Sequence, residues 1–173
     1  MTNDAIDTRR VALDLLLRIG KGSPLDEAFA TDPGRTSLAA LELRDRAYVR
    51  RLVTITLRHL GEIDHVIDRC LDRPLPERMD RRHNLLRLGV GQLLFADTPV
   101  HAAVDTMVRL ERHPRMRGFV NAVLRRVARE GATLLAGLDA PRLNTPAWLW
   151  DSWSSAYGTG TARAVAEAHL IEP

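Results

Sequence analysis

Apolar residues recur along most of this chain with the spacing of one face of an α-helix, not with the alternation typical of a strand. The periodicity predicts helices over about 5–20, 24–30, 38–60, 62–72, 79–96, 100–112, 116–130, 145–157 and 161–170. No stretch alternates convincingly as a strand would. The pattern therefore predicts an all-α protein.

Breaker residues set the predicted ends of these helices. Asp32 to Gly34 predicts a turn, Gly61 is placed as the glycine that follows a helix end, and Gly131 is expected to end the helix over 116–130. Thr145 and Pro146 predict a helix start, with the threonine as N-cap and the proline in the first position.

The helix over 79–96 is the most hydrophobic and contains two glycines, Gly89 and Gly91. Glycine lowers helix propensity, so its presence inside a helix needs a reason. We expect close approach of neighbouring helices at these positions, which would make this helix the centre of a bundle.

Composition supports the helical interpretation and excludes several classes of protein. In 173 residues, Leu and Ala total 47 whereas Val and Ile total 18, which argues against an all-β fold. A single cysteine, Cys70, excludes a disulfide framework and is expected to be a buried small hydrophobe. No apolar run is long enough to span a bilayer, and the first residues do not resemble a signal peptide, so we expect a cytoplasmic protein.

Charge is distributed unevenly. Residues 1–130 carry 23 basic and 18 acidic residues, whereas 131–173 carry two and four. Of the 25 basic residues, 24 are arginine, whose planar guanidinium suits phosphate. A GC-rich genome could explain that ratio, but it would not explain local clusters.

The densest cluster lies in the predicted third helix, where five arginines accompany one acid, Asp45: Arg44, Arg46, Arg50, Arg51 and Arg58. Three of them are seven residues apart and therefore share one helix face. Two interpretations stand about equally: a stripe that contacts a nucleic-acid backbone, or a solvated face paired with acids of neighbouring helices.

Two further arginine pairs are candidate RNA contacts. Arg9 and Arg10 lie in the first helix, and Arg125 and Arg126 lie in the helix over 116–130. For the second pair, favourable interaction with the helix dipole is an alternative explanation.

The sequence offers no catalytic residue and no metal site. The six histidines lack ligand spacing, and Gly158 to Gly160 follows a helix instead of the strand that a nucleotide-binding loop requires. Trp148, Trp150 and Trp153 share one helix and are expected to be packing residues. Asn121 lies among apolar residues, so we expect it to be at least half-buried and hydrogen-bonded.

Several motifs, in order and spacing, resemble one known family. They are DRAYV at 45–49, TLR at 56–58, LLRLG at 85–89, QLLF at 92–95, PVHAAV at 99–104, GFVNAVLRR at 118–126 and PAWL at 146–149. Together they resemble the N-terminal region of the bacterial ribosomal RNA cytosine methyltransferases of the RsmB (Sun or Fmu) family. The first domain of that family is similar to the transcription antitermination factor NusB.

This resemblance implies a NusB-like RNA-binding domain over 1–130 and a helical linking segment over 131–173. The implied partners are ribosomal RNA and, in the same polypeptide, a C-terminal methyltransferase domain, with neither DNA nor membrane expected. That domain would hold S-adenosylmethionine and the reactive cysteines. The present stretch would be a truncated piece that binds no cofactor and is not itself catalytic.

Three functions remain open at this point. The first is the RNA-recruiting domain of a small-subunit rRNA 5-methylcytosine methyltransferase. The second is a NusB-type antitermination factor that binds RNA together with a ribosomal protein. The third is a structural module whose arginines only solvate it.

Overall fold

The computed structural model describes residues 3–30, 38–76 and 80–172, with side chains described from residue 7 onward. Within these ranges the chain forms ten α-helices and one turn of 3-10 helix at Leu38–Ala40. The α-helices are α1 (Asn3–Gly20), α2 (Leu25–Ala30), α3 (Leu43–Arg58), α4 (Leu60–Cys70), α5 (Asp80–Leu94), α6 (Val100–Leu110), α7 (Pro114–Leu135), α8 (Ala140–Leu143), α9 (Ala147–Tyr157) and α10 (Thr159–Leu170). The predicted all-α class is confirmed.

Helix α5 is the centre of the bundle, because it packs against α1, α3, α4, α6 and α7. Leu85, Leu86 and Leu88 are fully buried on it. Burying one such leucine stabilises a fold by roughly 1.5–3 kcal/mol. The core continues through apolar faces of the surrounding helices, which include Leu13, Leu52, Ile63, Met107 and Leu124.

The two glycines of α5 lie where neighbouring helices come closest, as predicted. A Cβ at Gly89 would meet the Leu124 side chain at 2.8 Å, and one at Gly91 would meet the Thr56 hydroxyl at 2.8 Å. Real Cβ contacts essentially never fall below 3.0 Å. Both positions therefore favour glycine for the approach of α7 and α3.

The predicted helix over 38–60 is divided, and its predicted end at Gly61 is wrong. The 3-10 turn precedes α3, which ends at Arg58, and α4 begins at Leu60 after His59. Gly61 lies inside α4, where an added Cβ would overlap the backbone carbonyl of Leu143. It serves close packing between α4 and α8 and does not end a helix.

The predicted end at Gly131 of the helix over 116–130 is also wrong. Helix α7 continues to Leu135, and Gly131 is buried within it. A Cβ at Gly131 would meet Leu94 at 2.8 Å. The glycine again permits a close contact with α5.

Helices α8, α9 and α10 are here called the C-terminal helices, and α8 contacts α4 of the bundle. Asn144 accepts a hydrogen bond from the Glu62 backbone N–H (3.1 Å) and donates one to the Glu62 carboxylate (2.8 Å). His59 lies 2.8 Å from the same carboxylate and stacks on Phe95. Burial raises the pKa of Glu62, but the bonds from His59 and Asn144 outweigh burial and lower it.

The start of α9 differs from the prediction. Pro146 is the N-cap, the helix begins at Ala147, and the Thr145 hydroxyl donates backwards to the Pro141 carbonyl at 2.7 Å. Thr145 closes α8 and does not cap α9.

Other expectations have mixed outcomes. Cys70 is buried, as predicted, whereas Trp148 is 72% exposed and is not the packing residue that we expected. Trp153 meets the His169 ring edge-on. The turn predicted at Asp32 to Gly34 lies outside the described residues. No helix among those described is long and apolar enough to cross a membrane.

Candidate nucleic-acid interface

Arg9 is held in place at one end of the bundle by two neutral acceptors. Its Nε donates to the Gln92 side-chain oxygen at 3.0 Å, and its Nη2 donates to the Tyr48 hydroxyl at 2.7 Å. The guanidinium carbon lies 4.7 Å from the centre of the Tyr48 ring. Burial lowers the pKa of Arg9, and Tyr48 and Asp45 oppose that effect. The guanidinium remains charged at neutral pH, so α1, α3 and α5 together fix one positive charge.

This arginine lines an open groove of about 590 Å³, here called the Arg9 groove. The groove is bounded by the first half of α1, the start of α3 and the turn before α6. Arg44 contributes a second cation and is exposed, with no ion-pair or hydrogen-bond partner among the described residues. The remaining wall is polar and partly acidic and includes Thr8, Glu42, Asp45, Tyr48, Asp97 and Thr98.

The arginines spaced seven apart on α3, here called the α3 stripe (Arg44, Arg51 and Arg58), are not equally available. Arg51 donates from Nε and Nη2 to the Glu172 carboxylate at 2.8 and 3.3 Å. This bond raises the pKa of Arg51 and lowers that of Glu172. Arg58 donates to the His169 carbonyl at 3.1 Å. The end of α10 and Glu172, which follows it, therefore cover two members of the stripe, and Arg44 stays outside that cover.

The two arginines between them on α3 contact neutral groups. Arg46 donates from Nε to the Leu41 carbonyl at 2.8 Å. The guanidinium of Arg50 lies over the Phe29 ring, 4.7 Å from its centre. Both side chains are exposed, and neither of these contacts cancels the positive charge.

Arg10 follows Arg9 on α1 but has a different environment. It pairs with Asp7 at 3.0 Å across one helical turn, and both side chains are at least one-third exposed. An exposed pair of this kind contributes little to stability. Arg10 is therefore available to a competing anion at small cost.

The pair on α7 lies away from the Arg9 groove, beside α4. Arg126 donates to Glu130 at 2.9 Å and to the Cys70 carbonyl at 3.4 Å. Arg125 donates to the Asn121 side-chain oxygen at 3.0 Å. Asn121 has intermediate burial and is hydrogen-bonded, as predicted. The structure thus groups Arg9 with Arg44, but it does not bring Arg125 and Arg126 to them.

Several residues of this interface could not be identified from arginine density alone. Tyr48 and Gln92 hold Arg9 from 39 and 83 residues away along the chain. Glu172 reaches Arg51 across 121 residues. The only sequence signal for Tyr48 and Gln92 was their place in the family motifs, and Glu172 had none.

No group of three or more His, Cys, Asp and Glu residues in the described part of the chain is arranged to hold a metal ion. The groove combines the guanidinium groups of Arg9 and Arg44 with carboxylates in the same wall, so its charge is mixed. Its two arginines are the groups that can bind the phosphates of a polyanion.

Comparison with known proteins gives one family and one group of relatives. A model of the NusB family matches residues 6–129. "Ribosomal RNA small subunit methyltransferase B" of Salmonella paratyphi B is 34% identical over 137 residues, which cover 75% of this chain and 31% of the relative. The protein of the same name from Escherichia coli O127:H6 is 33% identical over 120 residues, which cover 66% of this chain and 28% of the relative. The matched part is thus less than a third of each relative.

Proposed function

This chain belongs to the NusB family, and from that premise we propose that it is the RNA-binding N-terminal domain of a small-subunit rRNA 5-methylcytosine methyltransferase. Its role in that enzyme is to hold ribosomal RNA close to a catalytic domain that lies elsewhere in the parent polypeptide. The observation that carries this proposal is the 34% identity with methyltransferase B over 137 residues. An rRNA substrate would place the protein in the cytoplasm.

The Arg9 groove supports the RNA-binding half of the proposal. Arg9 is fixed by Gln92 and Tyr48, so it loses little conformational freedom when a phosphate binds. Arg44 supplies an exposed second cation at the same groove. The α6 N-terminus adds the positive end of a helix dipole. These cationic groups would bind phosphates, beside the carboxylates of the same wall.

S-adenosylmethionine would be bound by the proposed catalytic domain and not by this chain. Nucleotide-type cofactors are commonly held by a glycine-rich turn between a strand and a helix. Here Gly158 ends α9 and Gly160 lies in the first turn of α10, so the glycines join two helices. The described residues therefore do not fit that cofactor, and we assign them no step of methyl transfer.

The test is RNA binding by the 173-residue chain. A labelled transcript of small-subunit rRNA is titrated at several salt concentrations, because each phosphate contact releases counterions. We expect log affinity to fall with log salt with a slope of about −0.7 per contact on a single strand. Arg44→Ala should weaken binding and remove nearly one contact from the slope. Arg163→Ala is the matched control, because that arginine is exposed on α10 and pairs with Asp139.

Two results would contradict the proposal. Binding that is absent or independent of salt would exclude an RNA-backbone interface. Tight binding of a short single strand together with a ribosomal protein, and none of the rRNA transcript, would favour a NusB-type antitermination factor.

An S-adenosylmethionine titration by calorimetry should show no heat of binding to this chain, whereas micromolar affinity would contradict the assignment of the cofactor to another domain.

A further inference from the structure

A second group of arginines lies at the end of the bundle opposite the Arg9 groove. Residues 109–117 run from the end of α6 into the start of α7 and contain four arginines and one acid. The three that follow α6, here called the corner cluster, are Arg112, Arg115 and Arg117. All three are exposed. Neither charge patterning nor the family motifs singled them out.

The acid within this stretch, Glu111, is directed into the protein and does not compensate the corner cluster. Its carboxylate accepts from Arg82 Nε at 3.0 Å and from the His113 backbone N–H at 2.9 Å. The Arg82 and Glu111 side chains are only 9% and 5% exposed. The negative charge of the turn is therefore matched by a buried cation of α5.

The surface arginines have no comparable partner. Arg117 donates to the Glu111 backbone carbonyl at 3.2 Å, which orients it without neutralising it. For Arg112 and Arg115, no hydrogen bond or ion pair is found within the described part of the chain. The first turn of α7, where Arg115 and Arg117 lie, adds the positive end of a 22-residue helix.

A further cation of α5 increases the local repulsion. Arg81 pairs with Asp14 at a long 3.4 Å. Burial lowers the pKa of Arg81, and the nearby guanidinium of Arg112 lowers it further. Like charges at short range destabilise a protein unless an anion compensates them. Among the described residues, Arg112, Arg115 and Arg117 thus keep a positive charge without a carboxylate partner, and a polyanion would neutralise it.

The corner lacks what a protein partner usually needs. Protein interfaces have an apolar core, often aromatic. The exposed large hydrophobic side chains of the described residues are Leu25, Leu43, Val100, Leu143, Trp148, Tyr157 and Ile171, and none lies within residues 109–117. Guanidinium groups without an apolar centre fit phosphates, which need charge and donors alone.

We propose that the corner cluster is a second RNA-backbone contact, separate from the Arg9 groove. The inference rests on the proposed RNA-binding function and adds to it a requirement on the substrate. Helix α6 separates the two sites and has 11 residues, which span about 16 Å at 1.5 Å per residue. At roughly 3.4 Å of rise per nucleotide, an RNA that touches both sites extends over about five nucleotides. The substrate is thus an extended or structured RNA and not a mononucleotide.

The test compares variants in binding to a labelled RNA hairpin of mixed sequence with a 20-base-pair stem of about 50 Å or more. Arg112→Ala, Arg115→Ala and their combination are compared with Arg163→Ala, which removes one exposed, carboxylate-paired arginine. Each corner variant should remove about 0.7 to 0.9 from the slope of log affinity against log salt. The double variant should lose about twice that, and Arg163→Ala should leave the slope unchanged. Melting temperatures should not fall below the parent value, because the replaced side chains are exposed and loss of Arg112 removes a repulsion on Arg81.

Each alternative result has a separate meaning. If the parent binds RNA, Arg44→Ala weakens binding and the corner variants bind as the parent does, the corner proposal is wrong and the proposed function stands. If the parent shows no salt-dependent RNA binding, both fail. Weakened binding with an unchanged slope would mean that the corner contacts no phosphate. If the parent binds polyglutamate and the corner variants do not, while those variants bind RNA as the parent does, the corner is assigned to an acidic protein and the proposal is wrong.

Discussion

The α3 stripe and the corner cluster have similar local sequences and opposite surroundings. Each combines several arginines with a single acid. On α3, a distant carboxylate, Glu172, comes to the arginines and neutralises one of them. At the corner, the local carboxylate of Glu111 is drawn inward by Arg82, and no carboxylate partner of the corner cluster is found among the described residues. The number of charges along a chain therefore does not indicate which cations are available to a ligand.

The difference also depends on how the C-terminal helices are attached. The cover over Arg51 and Arg58 comes from the end of α10. These helices are fixed to α4 by Asn144 and by the close approach at Gly61. The corner depends instead on one buried ion pair within the bundle. Four predictions test these dependences, from the largest expected effect to the smallest.

The buried ion pair of Arg82 and Glu111 should contribute more to the stability of the corner than its exposed arginines do. Arg82→Ala leaves the Glu111 carboxylate buried without its cation, so we expect the free energy of unfolding in urea to fall by about 3–5 kcal/mol. Replacing both residues, with Met at 82 and Leu at 111, should recover most of that loss. Arg115→Ala, on the same corner, should change stability by less than about 0.5 kcal/mol. A cost below about 1 kcal/mol for Arg82→Ala would mean that the pair does not hold the turn.

Gly61→Ala should release arginines of the α3 stripe from their partners, so that the stripe becomes as available to a ligand as the corner cluster. The added methyl group overlaps the Leu143 carbonyl, so α8 must move, at a cost of roughly 1–3 kcal/mol. Displacing the C-terminal helices should also release Arg51 and Arg58 and steepen the salt dependence of RNA binding. Gly118→Ala in α7 is the control, since no atom lies within 4 Å of the new methyl group. That control should gain up to about 1 kcal/mol from helix propensity, and equal behaviour of the two variants would contradict the close-packing role.

Acidic pH should weaken the interactions that stabilise the corner more than those that stabilise the α3 stripe. Burial raises the pKa of Glu111, but bonds from the His113 N–H and Arg82 outweigh burial and hold it below the ordinary value of 4.5. A lowered folded-state pKa stabilises the protein above the unfolded value, and this contribution is lost as pH falls through the folded value. Melting temperature should therefore decline below about pH 4.5, and Glu111→Gln should flatten that part of the profile. Glu172→Gln should leave the profile unchanged, because its pair with Arg51 is exposed.

The smallest effect should come from uncovering a single arginine of the stripe. Glu172→Gln removes the anion that holds Arg51 and should not change the melting temperature measurably. Arg51 then becomes available to phosphate, so the slope of log affinity against log salt should steepen by about 0.7. Combining Glu172→Gln with Arg51→Ala should abolish that gain. A slope that stays at the parent value would place Arg51 away from the RNA even when it is unpaired.

The local spacing of apolar residues predicted the helices, because an apolar face repeats within each one. The same local pattern did not predict the roles of glycine at two positions. Gly61 and Gly131 are followed by polar or small residues, as at a helix end. Gly61 is nevertheless required by the distant backbone of Leu143, and Gly131 lies against the end of the distant Leu94 side chain. The same limit applies to the site. Arginine density identified α3, but the partners of Arg51 and Arg9 lie 121 and 83 residues away.

The corner was missed for a related reason. Its arginines follow one another through the end of a helix, a turn and the start of the next helix, so no single helical face displays them. In the sequence, Glu111 stands among these arginines, where a carboxylate would compensate their positive charge. Only the fold shows that Arg82, 29 residues earlier, has taken that acid.

The way in which Gln92 holds Arg9 makes the Arg9 groove sensitive to a change of one atom. The amide nitrogen of Gln92 donates to the Leu88 carbonyl at 3.2 Å, which turns its oxygen towards Arg9. Glutamate has nearly the same shape and differs from glutamine by one base in a codon. In its ionised form it would place a counter-ion against Arg9 and leave the Leu88 carbonyl without that donor. A single mutation could thus neutralise Arg9 while keeping the shape of the side chain that holds it, so Gln92 is a position at which evolution could separate RNA binding from structure.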